Sequence, residues 1–140
     1  MDLKNLLVNE KVVDMEYPGN PGLIFKVAHL SRDELVKLRK RCVHTKFDRK
    51  TRQPVEELDE DLFAKEFTKA VVRGWDGFKY SYLENFILVD LTNVKDEEAE
   101  LEYSQDNALI LMQNSTEFDT WINEVVFDLA EFRSRASSGT

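Results

Sequence analysis

The 140-residue chain is predicted to be α+β and mainly α: an N-terminal β-hairpin followed by about four to five helices in one compact domain. Three observations predict this. Apolar and polar residues alternate on both sides of a dense Pro/Gly turn near the N-terminus. Beyond it, apolar residues recur every three or four positions in several stretches, each opened by a Ser, Thr or Asp suited to capping. The length is that of one ordinary domain, and 42% hydrophobic with 33% charged residues is a globular mixture. The expected domain is 1–133, with the hairpin at about 11–29, the helical part at about 31–133, and a small, polar, disordered tail at 134–140.

In chain order, Val13, Met15 and Tyr17 alternate with Val12, Asp14 and Glu16, as a half-buried strand does. Pro18-Gly19-Asn20-Pro21-Gly22 is the turn, and Leu23, Phe25 and Val27 share one face of the return strand. Two strands alone are marginal in water, so the hairpin must pack on helices or join another sheet. Ser31 and Glu34 form a capping-box pattern before a helix whose stripe is Leu35, Leu38 and Cys42. Thr45 to Pro54 has no apolar period and reads as a long loop. Asp59 caps a helix over about 60–73, with Phe63, Phe67, Ala70 and Val71 as its stripe and Gly74 as its C′ residue. Trp75-Asp76-Gly77 is a turn, Tyr82 to Leu88 a short helix or helical turn, 90–100 an acidic loop, and Leu101 to Tyr103 a candidate short strand. Ser104 caps a helix over about 105–112, and Ser115/Thr116 cap the last one, about 117–132, striped by Phe118, Ile122, Val125, Leu129 and Phe132.

Net charge is −8, distributed unevenly. Residues 32–52 carry nine Lys/Arg against three acids, whereas 53–140 carry seven against twenty. The basic segment either docks on the chain's own acidic part, lies as a solvated helix face, or meets an acidic partner. An acidic protein is repelled from nucleic acid over most of its surface, so no nucleic-acid partner is expected. No apolar run approaches the ~18 residues of a membrane span, and the N-terminus lacks a signal-peptide order, so the chain is expected to stay where it is made.

No catalytic residue, metal site or cofactor is expected. His29 and His44 are the only imidazoles; each reads as structural or solvent-facing. His44 falls near the end of the basic helix, where positions i and i+2 point to different faces, so Cys42 and His44 are not expected to pair. A single cysteine and two histidines do not build a zinc site, and 96–100 lacks the ligand alternation of a calcium loop. The five glycines form no phosphate loop. Trp75 lies off any periodic face; it either plugs the core at a helix end or sits on a partner surface, where tryptophan is frequent among hot spots.

The order of segments carries a family resemblance. LSRDELVKLRKRC is followed by DEDLFAKEFTKAVVRGWDGF, an acidic connector, and ELEYSQDNALILMQNSTEFDTWINEVVFDLAEF. Val71 to Gly77 (VVRGWDG), the Tyr103–Asn107 helix start and the terminal amphipathic helix with its early aromatic are similar to the tail assembly chaperones of long-tailed, siphovirus-type bacteriophages. The resemblance spans roughly Leu23 to Phe132.

It implies a chaperone of the host cytoplasm that binds the helical tape-measure protein and keeps it soluble. It implies recruitment of tail-tube subunits, in many such proteins through a longer frameshifted form, and absence from the mature virion. Self-association is expected, through the hairpin edge or between the basic segment and a neighbour's 90–100 loop. The residues expected at a partner surface are Arg39, Phe47, Arg49 and Arg52 of the basic segment, with Trp75 and Phe78 around the Trp-Asp-Gly turn. The alternative is a structural tail completion or connector protein that remains in the virion.

Overall fold

The computed structural model describes residues 2–8 and 10–134. A 3-10 turn at Leu3–Leu6 leads into β1 (Val12–Glu16) and β2 (Ile24–Ala28), then α1 (Arg32–Arg41). β3 (Val43–Phe47) and β4 (Pro54–Leu58) come next, then α2 (Glu60–Val71) and β5 (Val72–Asp76). A 3-10 helix at Tyr80–Asn85 and a long connector precede α3 (Gln105–Asn114), α4 (Thr116–Val126) and α5 (Leu129–Ser134).

β1, β2 and β5 form an antiparallel sheet with β2 in the middle. The register sets Met15, Phe25 and Trp75 in one cross-strand row and Val13, Val27 and Val72 in the next. Period-2 alternation sends these side chains to one face, where they are buried. Opposite, Lys26 lies 3.9 Å from both Asp14 and Asp76, in pairs too exposed to add much stability. The register slips between Lys26 and Val27, so Arg73 is the extra residue of a bulge. Its guanidinium group donates to the Ala70 carbonyl at 2.8 Å and pairs with Glu10.

Phe25 is the centre of the core. Its ring lies 5.0 Å from Phe118, 5.5 Å from Trp121 and 5.9 Å from Trp75 and Phe78, so the sheet, the 77–86 connection and α4 meet on it. Such aromatic contacts add to simple area burial. Trp75 Nε1 donates to the Leu101 carbonyl at 2.8 Å, and Tyr103 Oη to the Val72 carbonyl at 2.7 Å. These bonds fasten the connector across β5 while satisfying polar atoms that burial would otherwise leave costly.

The expectation of a hairpin followed only by helices is overturned: strands are interspersed along the chain, making a mixed α/β domain. The stretch 31–133, expected to be helical, contains β3, β4 and β5. Thr45–Pro54, expected to be a loop, supplies parts of two strands and the turn between them. α2 ends at Val71, and Gly74, expected as a helix C′ residue, lies inside β5 opposite Lys26. Two β-branched residues, Val71 and Val72, sit at the switch, and β2 presents an open edge there, so the ladder wins over a longer helix.

The short helix or helical turn expected over Tyr82 to Leu88 is a 3-10 helix that lies earlier, at Tyr80–Asn85, and Leu88 beyond it is fully exposed. Leu101–Tyr103 is not a strand; an isolated Lys79–Glu100 bridge lies just before it. The last helix breaks at Phe127 and Asp128, where the Asp128 carboxylate accepts the Ala130 amide at 3.1 Å, and Leu129 leaves the stripe for solvent. The 134–140 tail lies outside the described residues, apart from Ser134 as the last residue of α5.

Candidate protein-binding surface

β3 and β4 form a two-stranded antiparallel ribbon whose residues are all exposed except the half-buried Leu58. It pairs with no strand of the main sheet. Opposed residues share a face, so Val43, Thr45 and Phe47 lie with Leu58, Glu56 and Pro54 on one side. His44, Lys46, Glu57 and Val55 lie on the other. Glu57 is 3.9 Å from both His44 and Lys46. Phe47, 62% exposed, is the largest apolar group on the ribbon.

The turn at 48–53 owes its shape to Asp48. Its carboxylate accepts the Lys50 amide and its carbonyl the Arg52 amide, both at 2.8 Å. Arg52 takes φ 57°, a left-handed conformation uncommon outside glycine. Arg49, Lys50 and Arg52 are exposed there, giving the tip a basic end.

A second feature lies beside the ribbon base. α1, α2, α3 and α4 border a groove of about 400 Å³. The rings of Phe63, Phe67 and Phe127 run along it, with centroids 5.8 and 6.4 Å apart. Met112 and Leu35 contribute to its lining, and Glu60 and Asp119 place carboxylates beside it. Arg39 lies over Phe63, its guanidinium carbon 5.5 Å from the ring centroid, a cation–π arrangement. The groove thus combines a row of aromatic rings with polar Thr68, Gln113 and Asn123, and carries charge of both signs at its margin.

The sequence-derived partner residues therefore fall in three places. Phe47, Arg49 and Arg52 are brought together on the ribbon and its turn, and Arg39 sits on the groove. Trp75 and Phe78, 6% and 0% exposed, are core residues and present no surface to a partner. The sequence reading missed Phe127, 39% exposed. Its signal was its place beside the apolar stripe of α4 rather than on it. The period-2 run Val43, Thr45, Phe47 was the corresponding signal for β3.

The imidazoles and the thiol are placed apart. His29 Nδ1 lies 2.8 Å from the Val126 carbonyl oxygen, and its ring packs 4.9 Å from Phe132. His44 is on the exposed ribbon beside Glu57. Cys42 is buried at the end of α1, where burial pushes its thiol above the usual range. Because α1 stops at Arg41, helical spacing does not describe Cys42 and His44; burial of one and exposure of the other separates them. Among the described residues no group of three or more His, Cys, Asp or Glu is placed to hold a metal ion, and no helix is long and apolar enough to cross a membrane. Compared with protein-family models, curated proteins and solved structures, the chain matches none of them.

Proposed function

We propose that the chain is a phage tail assembly chaperone that works by binding rather than catalysis. In this reading it acts in the host cytoplasm, takes up apolar helix surface of the tape-measure protein, and helps recruit tail-tube subunits, with a longer frameshifted form as one route. It leaves before the virion matures. The observation that carries the reading is the groove where half-buried Phe63 and exposed Phe127 flank buried Phe67, with Arg39 at its margin. A long amphipathic helix offers apolar side chains at i, i+3/i+4 and i+7, and an apolar groove between helices is the shape that covers them. The Arg39 guanidinium suits an acid flanking such a stripe, and Arg49 and Arg52 on the ribbon extend that preference.

Co-expression with the tape-measure protein of the same genome tests this. The tape measure should move to the soluble fraction with the native chain, and largely return to the pellet with Phe127→Asp or Arg39→Glu. Precipitation regardless of the chain would sink the reading. Mass spectrometry of purified particles separates the runner-up, because a completion or connector protein is retained there and a chaperone is not.

A further inference from the structure

We propose that the β3–β4 ribbon joins copies of this chain head to tail, β3 of one copy pairing antiparallel with β4 of the next. The inference deepens the self-association contained in the chaperone reading and rests on it, but not on the identity of any other partner. The Asp48 amide donates to the Gln53 carbonyl at 3.1 Å, and the Asp59 amide to the Cys42 carbonyl at 2.7 Å. In an antiparallel ladder bonded pairs alternate with non-bonded ones. With the observed register, the backbone groups of His44, Lys46, Val55 and Glu57 face inward. Those of Val43, Thr45 and Phe47 therefore form one outer edge, and those of Pro54, Glu56 and Leu58 the other. Pro54, which has no N–H, occupies an outward position, where proline is tolerated in a strand.

Both outer edges are templates for another strand, and a ribbon of two strands gains from a third. Side-chain charge decides which strand is accepted. Pairing β3 with its own copy about a two-fold axis brings Lys46 opposite His44 or Lys46 of the second copy in the central registers. Pairing β4 with β4 opposes Glu56 or Glu57 to itself, or leaves the Pro54 position without a donor. Like charges directly opposite are destabilising, and opposite charges are favourable. Within the strands, only β3 against β4 sets a charged base against an acid: a two-residue slip from the ribbon's own register brings Lys46 to Glu57, pairs Thr45 with Leu58 and Phe47 with Glu56, and leaves Pro54 beyond the end of β3. Each copy then uses two different edges, so the contact is heterologous and yields a ring or a filament rather than a closed pair. The face holding Val43, Phe47, Pro54 and Leu58 would continue from copy to copy as one apolar strip.

Sedimentation velocity on the full chain alone, over a wide concentration range, tests the proposal together with two edge-capping variants. Thr45→Pro removes an outward donor of β3, and Glu56→Pro one of β4; neither removes a hydrogen bond inside the ribbon. The native chain should grow beyond its 16.4 kDa monomer with concentration. Each variant alone should stay monomeric, and an equimolar mixture should stop at a one-to-one pair, because each variant keeps the edge the other has lost. A native chain monomeric throughout, either variant dimerising alone, or a mixture that stays monomeric would overturn the proposal.

Amide exchange on the native chain provides a second measurement should either proline disturb the ribbon. Protection of Thr45 and Phe47 should rise with concentration while that of His44 and Lys46 holds constant; protection independent of concentration also overturns it. A chain that stays monomeric yet keeps the tape measure soluble removes this proposal and leaves the chaperone reading. An assembling chain that fails on the tape measure does the reverse.

Discussion

Gly77→Ala should be among the most damaging single-methyl additions in this protein. Gly77 has φ +71°, and a Cβ placed there would lie 2.1 Å from the Gly22 carbonyl oxygen and 2.9 Å from its carbon. The left-handed conformation costs an L-residue roughly 1–2 kcal/mol. The overlap is with backbone, so no rotamer relieves it; the chain must shift, at about 1–3 kcal/mol by analogy with overpacked cores. What would have to shift is the β1–β2 turn. That turn is held by the Tyr82 hydroxyl donating to the Pro21 carbonyl at 2.7 Å and the Asn85 side chain donating to Asn20 at 2.9 Å. The total is roughly 2–5 kcal/mol, a large share of a domain's usual stability. Gly19→Ala is the control: φ is +84°, but nothing lies within 4 Å of the added Cβ, so only the conformational cost applies. Urea unfolding of both variants should give parallel transitions, with Gly77→Ala the less stable by about 1–3 kcal/mol. Equal losses in the two variants would refute the close approach of Gly77 to Gly22.

Ser115→Ala should cost about 1–2 kcal/mol, read as a lower urea midpoint with unchanged slope, because buried Ser115 ends α3 and starts α4, its hydroxyl accepting the Phe118 amide at 3.2 Å. Phe47→Ser should leave stability within about 0.5 kcal/mol of native, whereas Trp75→Ala should cost about 3–5 kcal/mol through the lost core volume and the bond to Leu101; thermal melts of both check it. Burial raises the pKa of Cys42, so the thiol stays protonated in the fold at pH values where the unfolded chain has ionised. Stability should therefore fall as pH rises past the ordinary thiol value of about 8.5, and Cys42→Ala should flatten that part of the profile. Tyr17 and Tyr103, also raised chiefly by burial, should add a further loss near pH 10 in both proteins, seen in urea midpoints across the alkaline range.

The candidate surface was legible in part. The basic run pointed to Arg49 and Arg52, which lie on the ribbon, and to Arg39, which lies on the groove. Charge is a one-dimensional property and survives folding wherever a side chain stays in water. The groove was not legible, because its aromatic rings come from α2 and α4, and Phe63 carries the same helical period as core residues such as Phe67. Trp75 and Phe78 could not be separated from a surface pair by sequence, since a turn signal says nothing about what packs over the turn.

What the chain itself determined is what short-range forces determine. Val13, Met15, Leu23, Phe25 and Val27 mark the core face of β1 and β2 and of the turn end between them, and Ser31, Asp59, Ser104 and Ser115 cap helices through their own side chains. Tertiary structure decided the rest. Gly74 and Trp75 lie in a strand because β2 had an edge to pair; β3 and β4 exist with almost no buried face because they pair with each other; and the last helix breaks so that Phe132 can reach the core while Leu129 faces water. Helix caps and turns are completed within a few residues, whereas a strand obtains its hydrogen bonds from a partner that local sequence does not name.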